Sequence, residues 1–294
     1  MDKLNKIGII FLLLIQCYSC EKKTDQLVDI DEVSAWCVKG FDVLDRTPKQ
    51  RIEMLKEMGF KRYGYNRGKG DISQMIKEFN LAEENNIEIN SIFLWLNAKR
   101  DSVGKLSEEN QGLLNNLKTL EQKPAIWVSF SNNFFENLNE SQSLDIAVEM
   151  VKFIKIKADE VGCSLALYNH TGWFGNPDNQ IKILEQVSQD SISIVYNFHH
   201  AHEHIDDFRT VVKKIKPYLS YVNLNGMIKD GPKILTIGKG KSEFEMIKCL
   251  KEEGFNGPWG ILGHIKTEDV QKVLKRNIDG LKLLNSQYLD IEEK

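Results

Sequence analysis

Beyond residue 32 the chain alternates, eight times over, between a short apolar run and a longer stretch with apolar residues at helical spacing. The runs are Val33–Lys39, Phe60–Tyr65, Ile87–Leu96, Ala125–Phe130, Ser164–Tyr168, Ile192–Tyr196, Leu219–Leu224 and Trp259–Leu262. Between them lie helical stripes such as Ile52, Leu55 and Met58, or Ile72, Met75, Ile76 and Phe79. Thr47-Pro48 and Asn176-Pro177 supply helix starts, and Thr267 opens a last helix whose inward stripe runs from Val270 through Leu281. This order implies a parallel sheet with helices packed on it, because each return to a parallel strand needs a crossover. Eight repeats predict a single (β/α)8 barrel over 33–294. A doubly wound open sheet is the competing arrangement, but Lys39-Gly40-Phe41-Asp42 is not the Gly-rich turn it wants after its first strand.

The residues ahead of the repeats read as an address. Lys3 and Lys6 precede an apolar run, Ile7 to Ile15, that is too short to span a bilayer. Tyr18-Ser19-Cys20 then sets a small residue before a cysteine, which resembles a bacterial lipoprotein signal with Cys20 as the acylated residue. A plain signal peptide is the alternative. The reading is a signal over 1–20, a mobile tether over 21–32, and an exported barrel held to a membrane only through its lipid.

The net charge of −3, with no long basic run, argues against nucleic acid as the main partner. Cys37, Cys163 and Cys249 are far apart and odd in number, so they read as small buried hydrophobes and not as a disulfide framework.

The chain has six histidines, and four of them fall in Asn197-Phe198-His199-His200-Ala201-His202-Glu203-His204. The other two, His170 and His264, each close an apolar run. Functional residues of a barrel sit where strands end, so the barrel would deliver these imidazoles to one mouth. The same ends carry Lys39; Tyr65, Asn66 and Arg67; Asn97 and Lys99; Ser129, Ser131 and Asn132; Tyr168, Asn169 and Trp173; Asn197; and Asn223 and Asn225. Of these, Lys39, Asn169, Trp173, Asn197, Asn223 and Asn225 are the expected contacts to a hydroxyl-rich ligand. Trp173 stacks on a sugar ring or packs on the rim. Asn197 and His199 point to one strand face and Phe198 and His200 to the other, unless the strand has already ended. Gly238-Lys239-Gly240-Lys241 is a weak phosphate-cradle pattern, and a flexible loop is its plainer reading.

The segments Leu165 to His170, Asn197 to His200, Val222 to Asn225 and Ile237 to Gly240 resemble landmarks of the xylose-isomerase-like superfamily. That group holds sugar isomerases and epimerases and apurinic-endonuclease-type barrels. The resemblance implies a (β/α)8 barrel and a divalent metal held by two glutamates, an aspartate and a histidine. Here the first glutamate falls on Tyr168, the aspartate on Asn197, the strand-seven histidine on Asn223, and the last glutamate in Leu262-Gly263-His264. His200 keeps a histidine position. The carboxylate ligands are gone.

Two readings of the site follow. In one, His170, His200 and His264 hold Zn, Mn, Fe or Co, with Asn197 and Asn223 on substrate hydroxyls. In the other no metal is needed: His170 or His200 is the base and Tyr168 passes a proton. Either predicts a sugar isomerase- or epimerase-like enzyme that abstracts a proton next to a carbonyl, with lyase or hydratase chemistry on 3-keto-glycosides as one form. The alternative is a non-catalytic carbohydrate-binding barrel. Oligomeric state is not legible in the sequence.

Overall fold

Local signals set the helix starts. Thr47 Oγ1 accepts from Gln50 N at 3.4 Å while Thr47 N donates to Gln50 Oε1 at 3.0 Å, a reciprocal cap with Pro48 at the first helical position. Helix α1 (Pro48–Glu57) then buries Ile52, Met54 and Leu55. Asn139 and Gln142 cap α4 (Glu140–Glu160) in the same way. The structure is a computed structural model, and it describes residues 26–66, 72–187 and 191–292.

Eight parallel strands close on themselves in chain order: β1 (Ser34–Trp36), β2 (Arg62–Tyr65), β3 (Glu88–Leu96), β4 (Ala125–Phe130), β5 (Leu165–Tyr168), β6 (Ile192–Asn197), β7 (Leu219–Leu224) and β8 (Trp259–Leu262). Pairing of Ser34 with Gly260 and of Trp36 with Leu262 seals the ring. Around it run α1, α2 (Ser73–Glu84), α3 (Glu108–Thr119), α4, the single turn α5 (Gly172–Gly175), α6 (Pro177–Val187), α7 (Phe208–Ile215), α8 (Glu243–Glu252) and α9 (Val270–Glu292). The chain is a (β/α)8 barrel, as the alternation predicts.

Side chains of a strand alternate between two faces, so the barrel has two cores. Outward residues such as Ile92, Ile126 and Leu167 pack under the helices. Inward ones form an aromatic plug in which Trp36 lies 4.6 Å from Trp127, and Trp127 stacks on Tyr168 at 5.8 Å and meets Tyr221 at 4.7 Å. Gly64 on β2 makes room for it, since a Cβ there would stand 2.4 Å from Trp36 Cε3.

Some expectations change. The first strand stops at Trp36 because Cys37 adopts φ 56°, which ends extended pairing. The last helix starts at Val270 and not Thr267, with Asp269 Oδ1 accepting from Gln271 N at 3.0 Å. Ile76, expected on the inward stripe, is 37% exposed. The tether expected over 21–32 is docked where it is described. Leu27 and Val28 are buried, and Val28 exchanges two backbone hydrogen bonds with the Asn285 amide on α9 at 3.0 and 2.8 Å. The expected signal, Cys20 and Arg67 lie outside the described residues. Among the described residues no helix is long and apolar enough to cross a membrane. Cys37, Cys163 and Cys249 are free and buried.

Candidate active site

At the carboxyl ends of the strands the aromatic plug becomes the floor of a cavity of about 660 Å³. Trp36, Phe93, Trp95 and Tyr168 line it from β1, β3 and β5. Its polar wall carries His170, His200, His264, Lys39, Asn66 and Lys266.

The strand-six question is settled by where the strand stops. β6 ends at Asn197, whose Oδ1 accepts from His199 N at 3.0 Å and so caps a 3-10 turn, Phe198–His200. The turn breaks the alternation of faces. Phe198 is buried in the outer core, while His199 and His200 lie side by side with ring centroids 4.4 Å apart. An arc of rings results: Trp95 to His170 at 4.8 Å, His170 to His200 at 4.3 Å, His199 to His264 at 4.9 Å, and His264 to Phe41 at 4.0 Å.

Burial governs the charge of this arc. Desolvation, with the neighbouring His199, pushes His170 down to about 4. Desolvation first, then His199 and Lys266, pushes His264 down to about 4. His200 moves furthest down, through burial and then the adjacent His170. At neutral pH all three are neutral imidazoles, able to accept a proton or a metal. Tyr168 goes the other way: burial holds it well above its ordinary value, so near neutrality it is a phenol and no base. Its hydroxyl accepts from Trp36 Nε1 at 3.2 Å and from Asn197 Nδ2.

His170, His200 and His264 therefore share one cavity. His170 and His200 touch, whereas His264 joins them only through His199. Among the described residues no three or more His, Cys, Asp or Glu side chains are grouped so as to hold a metal ion. The expected metal triad is thus brought together without forming a ligand set.

The expected amides have other work. Asn169 Oδ1 accepts from Asn197 N at 2.7 Å and its Nδ2 donates to Asn197 O at 3.3 Å, tying β5 to β6. Asn197 is spent on Tyr168 and His199. Asn225 Nδ2 donates to Lys233 O at 2.8 Å, the carbonyl that also accepts from His199 Nδ1 at 3.1 Å, and so fixes the loop behind the arc. Asn223 is fully buried with its amide unpartnered, close beneath Gly260, and does not line the cavity. Trp173 packs on Phe135 at 4.9 Å and donates to Glu140 Oε2 at 3.0 Å, on the rim. The backbone amides of the phosphate-cradle pattern are already occupied: Gly238 N and Gly240 N donate to Glu243 Oε1 at 3.0 and 2.9 Å, and Met227 N to Oε2 at 3.0 Å. His204 faces Asp207 at 3.4 Å and does not line the cavity.

Sequence reasoning missed the aromatic wall of Trp36, Phe93 and Trp95. The signal was present in the two-residue spacing of Phe93 and Trp95, which puts both on one face of β3.

No family model matches the chain, and no curated protein is similar enough to count as a relative. Solved structures do match. The 3-keto-D-glucoside 4-epimerase of E. coli is 13% identical, with 86% of this chain and 98% of that one aligned at a TM-score of 0.63. The probable 3-DHS dehydratase of Bacillus anthracis is 13% identical over 85% and 98% of the two chains, TM-score 0.66. The IOLI protein, solved with a bound zinc atom, is 14% identical over 87% and 99%, TM-score 0.66. The barrel is built like these. At such identities the likeness establishes the fold alone, a (β/α)8 barrel.

Proposed function

We propose that the protein is a sugar-modifying enzyme of the isomerase or epimerase kind, acting by proton abstraction next to a carbonyl. β-Elimination or hydration on a 3-keto-glycoside is one form of that chemistry. The observation that carries the reading is the arc of neutral imidazoles on an aromatic cavity at the carboxyl end of the barrel.

His170 and His200 follow β5 and β6, while Lys39 and Asn66 follow β1 and β2, the strands across an eight-stranded ring. A substrate between them meets a base on one side and a cation on the other. With His170 Nδ1–H given to Thr171 Oγ1, 3.2 Å away, Nε2 holds the lone pair that takes the proton. An imidazolium beside His200 is costly in isolation, and the enolate formed in the same step offsets its charge. Lys39 Nζ stabilises the oxygen on which negative charge develops. Trp36, Phe93 and Trp95 keep water away and offer a sugar ring an apolar face. Amides already filled by Glu243 fit an unphosphorylated sugar.

The zinc atom in a protein of the same fold supports testing for a divalent metal, Zn, Mn, Fe or Co, although the imidazoles as placed form no ligand set. Elemental analysis of purified protein decides this, together with its repeat on His264→Ala. The function itself is tested on a panel of keto-sugars. His170→Ala and His200→Ala should each lower turnover by roughly 10²–10⁴-fold. Unchanged turnover in both sinks the reading.

A second reading, a carbohydrate-binding barrel without turnover, is favoured by the missing carboxylates. Sugar binding by wild-type protein with no product from any keto-sugar would establish it.

We also infer that the chain is exported and lipid-anchored at Cys20. Residues 26–28 are fastened at the amino end of the barrel, so an anchor there leaves the mouth facing away from the membrane. Metabolic labelling with palmitate should mark the wild type and not Cys20→Ala.

A further inference from the structure

One corner of the cavity is built for a ligand and absorbs no role above beyond a general cation. Asn66, directly after β2, is 8% exposed and lines the cavity. Its Nδ2 donates to Lys39 O at 2.6 Å, which fixes the amide plane, and its Oδ1 is buried with no hydrogen-bond partner. A buried acceptor left this way is costly, and what it lacks is a donor such as a hydroxyl. Beside it, Lys39 Nζ donates to Tyr65 OH at 3.0 Å and stands 5.0 Å over the Tyr65 ring, so the ammonium is held at the wall. Lys266, over Phe41 at 5.5 Å, adds a second positive charge at the rim. Against these, among the described residues, the lining offers one carboxylate, Asp45, and that residue is exposed. Asn110, the other amide of the lining, is spent on Trp95 O and Asp101 Oδ1, both at 3.0 Å. Among the described residues the lining therefore carries two ammonium groups against one carboxylate.

We propose that the substrate is a sugar acid, of uronate or aldonate type, whose carboxylate is held by Lys39 and whose neighbouring hydroxyl donates to Asn66 Oδ1. This deepens the function proposed above and rests on it: the carbonyl beside which the proton is taken is the acid's own, so the oxygen on which charge develops is the carboxylate oxygen that Lys39 faces. The pairing explains why an acceptor and a cation are tied together in one corner. A cation alone would take any anion, and an acceptor alone any hydroxyl; side by side they read an acid with a hydroxyl next to it. It also accounts for a lining that, among the described residues, is rich in imidazoles and poor in carboxylates, since an acidic side chain there would repel the ligand.

Trp36 and Trp95 line the cavity, so tryptophan fluorescence of the full chain reports binding without turnover. D-glucuronate, D-galacturonate and D-gluconate are titrated against D-glucose and D-galactose at low ionic strength. The acids should bind at least about tenfold more tightly than the neutral sugars. Lys39→Gln should bring that ratio to about one, while Lys39→Arg keeps most of it, which separates lost charge from lost fold. Asn66→Ala should weaken acid and neutral sugar alike, by several-fold, with the ratio intact. Equal affinities in the wild type overturn the proposal, as does a preference that survives Lys39→Gln, or one that Lys266→Gln abolishes instead. Failure of every sugar and acid to bind overturns it as well. Turnover of keto-sugars with no preference for acids sinks this proposal alone, whereas acid preference without turnover sinks only the enzyme reading.

Discussion

Two buried polar clusters of this barrel stand in contrast. Under α1 and α2, Arg51 and Glu78 are 3% and 0% exposed, and their hydrogen bonds are made internally. Arg51 Nε donates to Glu78 Oε1 at 2.8 Å, its Nη1 to Arg46 O at 2.7 Å, and Tyr63 OH also donates to Glu78 Oε1 at 3.0 Å. At the mouth, His264 Nδ1 and Asn66 Oδ1 are buried with no partner at all. Asn66 is buried much as Arg51 and Glu78 are, and His264 is half-buried, yet their satisfaction differs. A cluster that closes its own hydrogen bonds holds elements together; an open group that lines a cavity, as Asn66 does and the equally open Asn223 does not, is placed to meet something that arrives from outside.

The contrast is broken most directly at Glu78. Glu78→Ala leaves the Arg51 guanidinium buried without its carboxylate and should cost about 3–5 kcal/mol in urea unfolding. Replacing both partners by apolar residues should cost much less than the sum of the single changes. If Glu78→Ala is nearly silent, the closed cluster contributes nothing and the distinction fails on that side.

Gly64 lies where the two regions meet, on β2 between the closed cluster and the cavity floor. A Cβ at Gly64 would stand 2.4 Å from Trp36 Cε3 and 2.7 Å from Ser91 Oγ. Gly64→Ala should therefore destabilise by about 1–3 kcal/mol, as overpacking does. Because Trp36 is part of the floor, the same change should also alter tryptophan fluorescence and weaken sugar binding. Loss of stability with an unaltered cavity would place Trp36 outside the site.

How much of this contrast was legible in the sequence depends on what each residue reports. The strands and helices were legible, because apolar spacing is fixed by burial and the barrel buries both faces of its strands. So was the gathering of His170, His200 and His264, because each follows a run that had to be a strand. The amides were not. Asn169, Asn197, Asn223 and Asn225 stand at strand ends like binding residues, yet three of them tie backbone and one is buried without lining the cavity. An amide serves a ligand or a loop with the same atoms, and only coordinates tell which. Asn66 came from the same kind of position and proved open. Nor was the 3-10 turn after Asn197 legible, although it decides which way His199 and His200 face. Trp36 and Phe93 read as ordinary core, since a barrel floor and a barrel core have the same composition.

Acid sharpens the contrast through the imidazoles. His170 and His264 titrate near 4 when folded, against an ordinary value of 6.5. Between those values the unfolded chain binds protons that the folded one does not, so stability rises with pH across the window and is flat above it. Unfolding measured from pH 7 down to pH 4 should show stability falling below about 6.5, by at most about 1.4 kcal/mol per pH unit for each such imidazole. His170→Leu should flatten part of that slope. A pH-independent stability would mean that the imidazoles are solvated and the mouth is not closed to water.

The smallest effect is the most telling. His264→Leu removes a ring that touches Phe41 and His199 but whose Nδ1 has no partner. Losing those ring contacts costs stability, and losing an unsatisfied buried nitrogen restores some, because such a group carries a desolvation penalty of about 1–3 kcal/mol. The two should nearly cancel, leaving a net change within about 1 kcal/mol of zero by urea unfolding. A cost near that of Glu78→Ala would mean that His264 closes a structural network, and the open cluster would then be a second closed one. A near-zero change, with tryptophan quenching by sugars reduced, would leave one consistent account of the imidazole: the barrel holds it in place without drawing stability from it, at the one end where a ligand can use it.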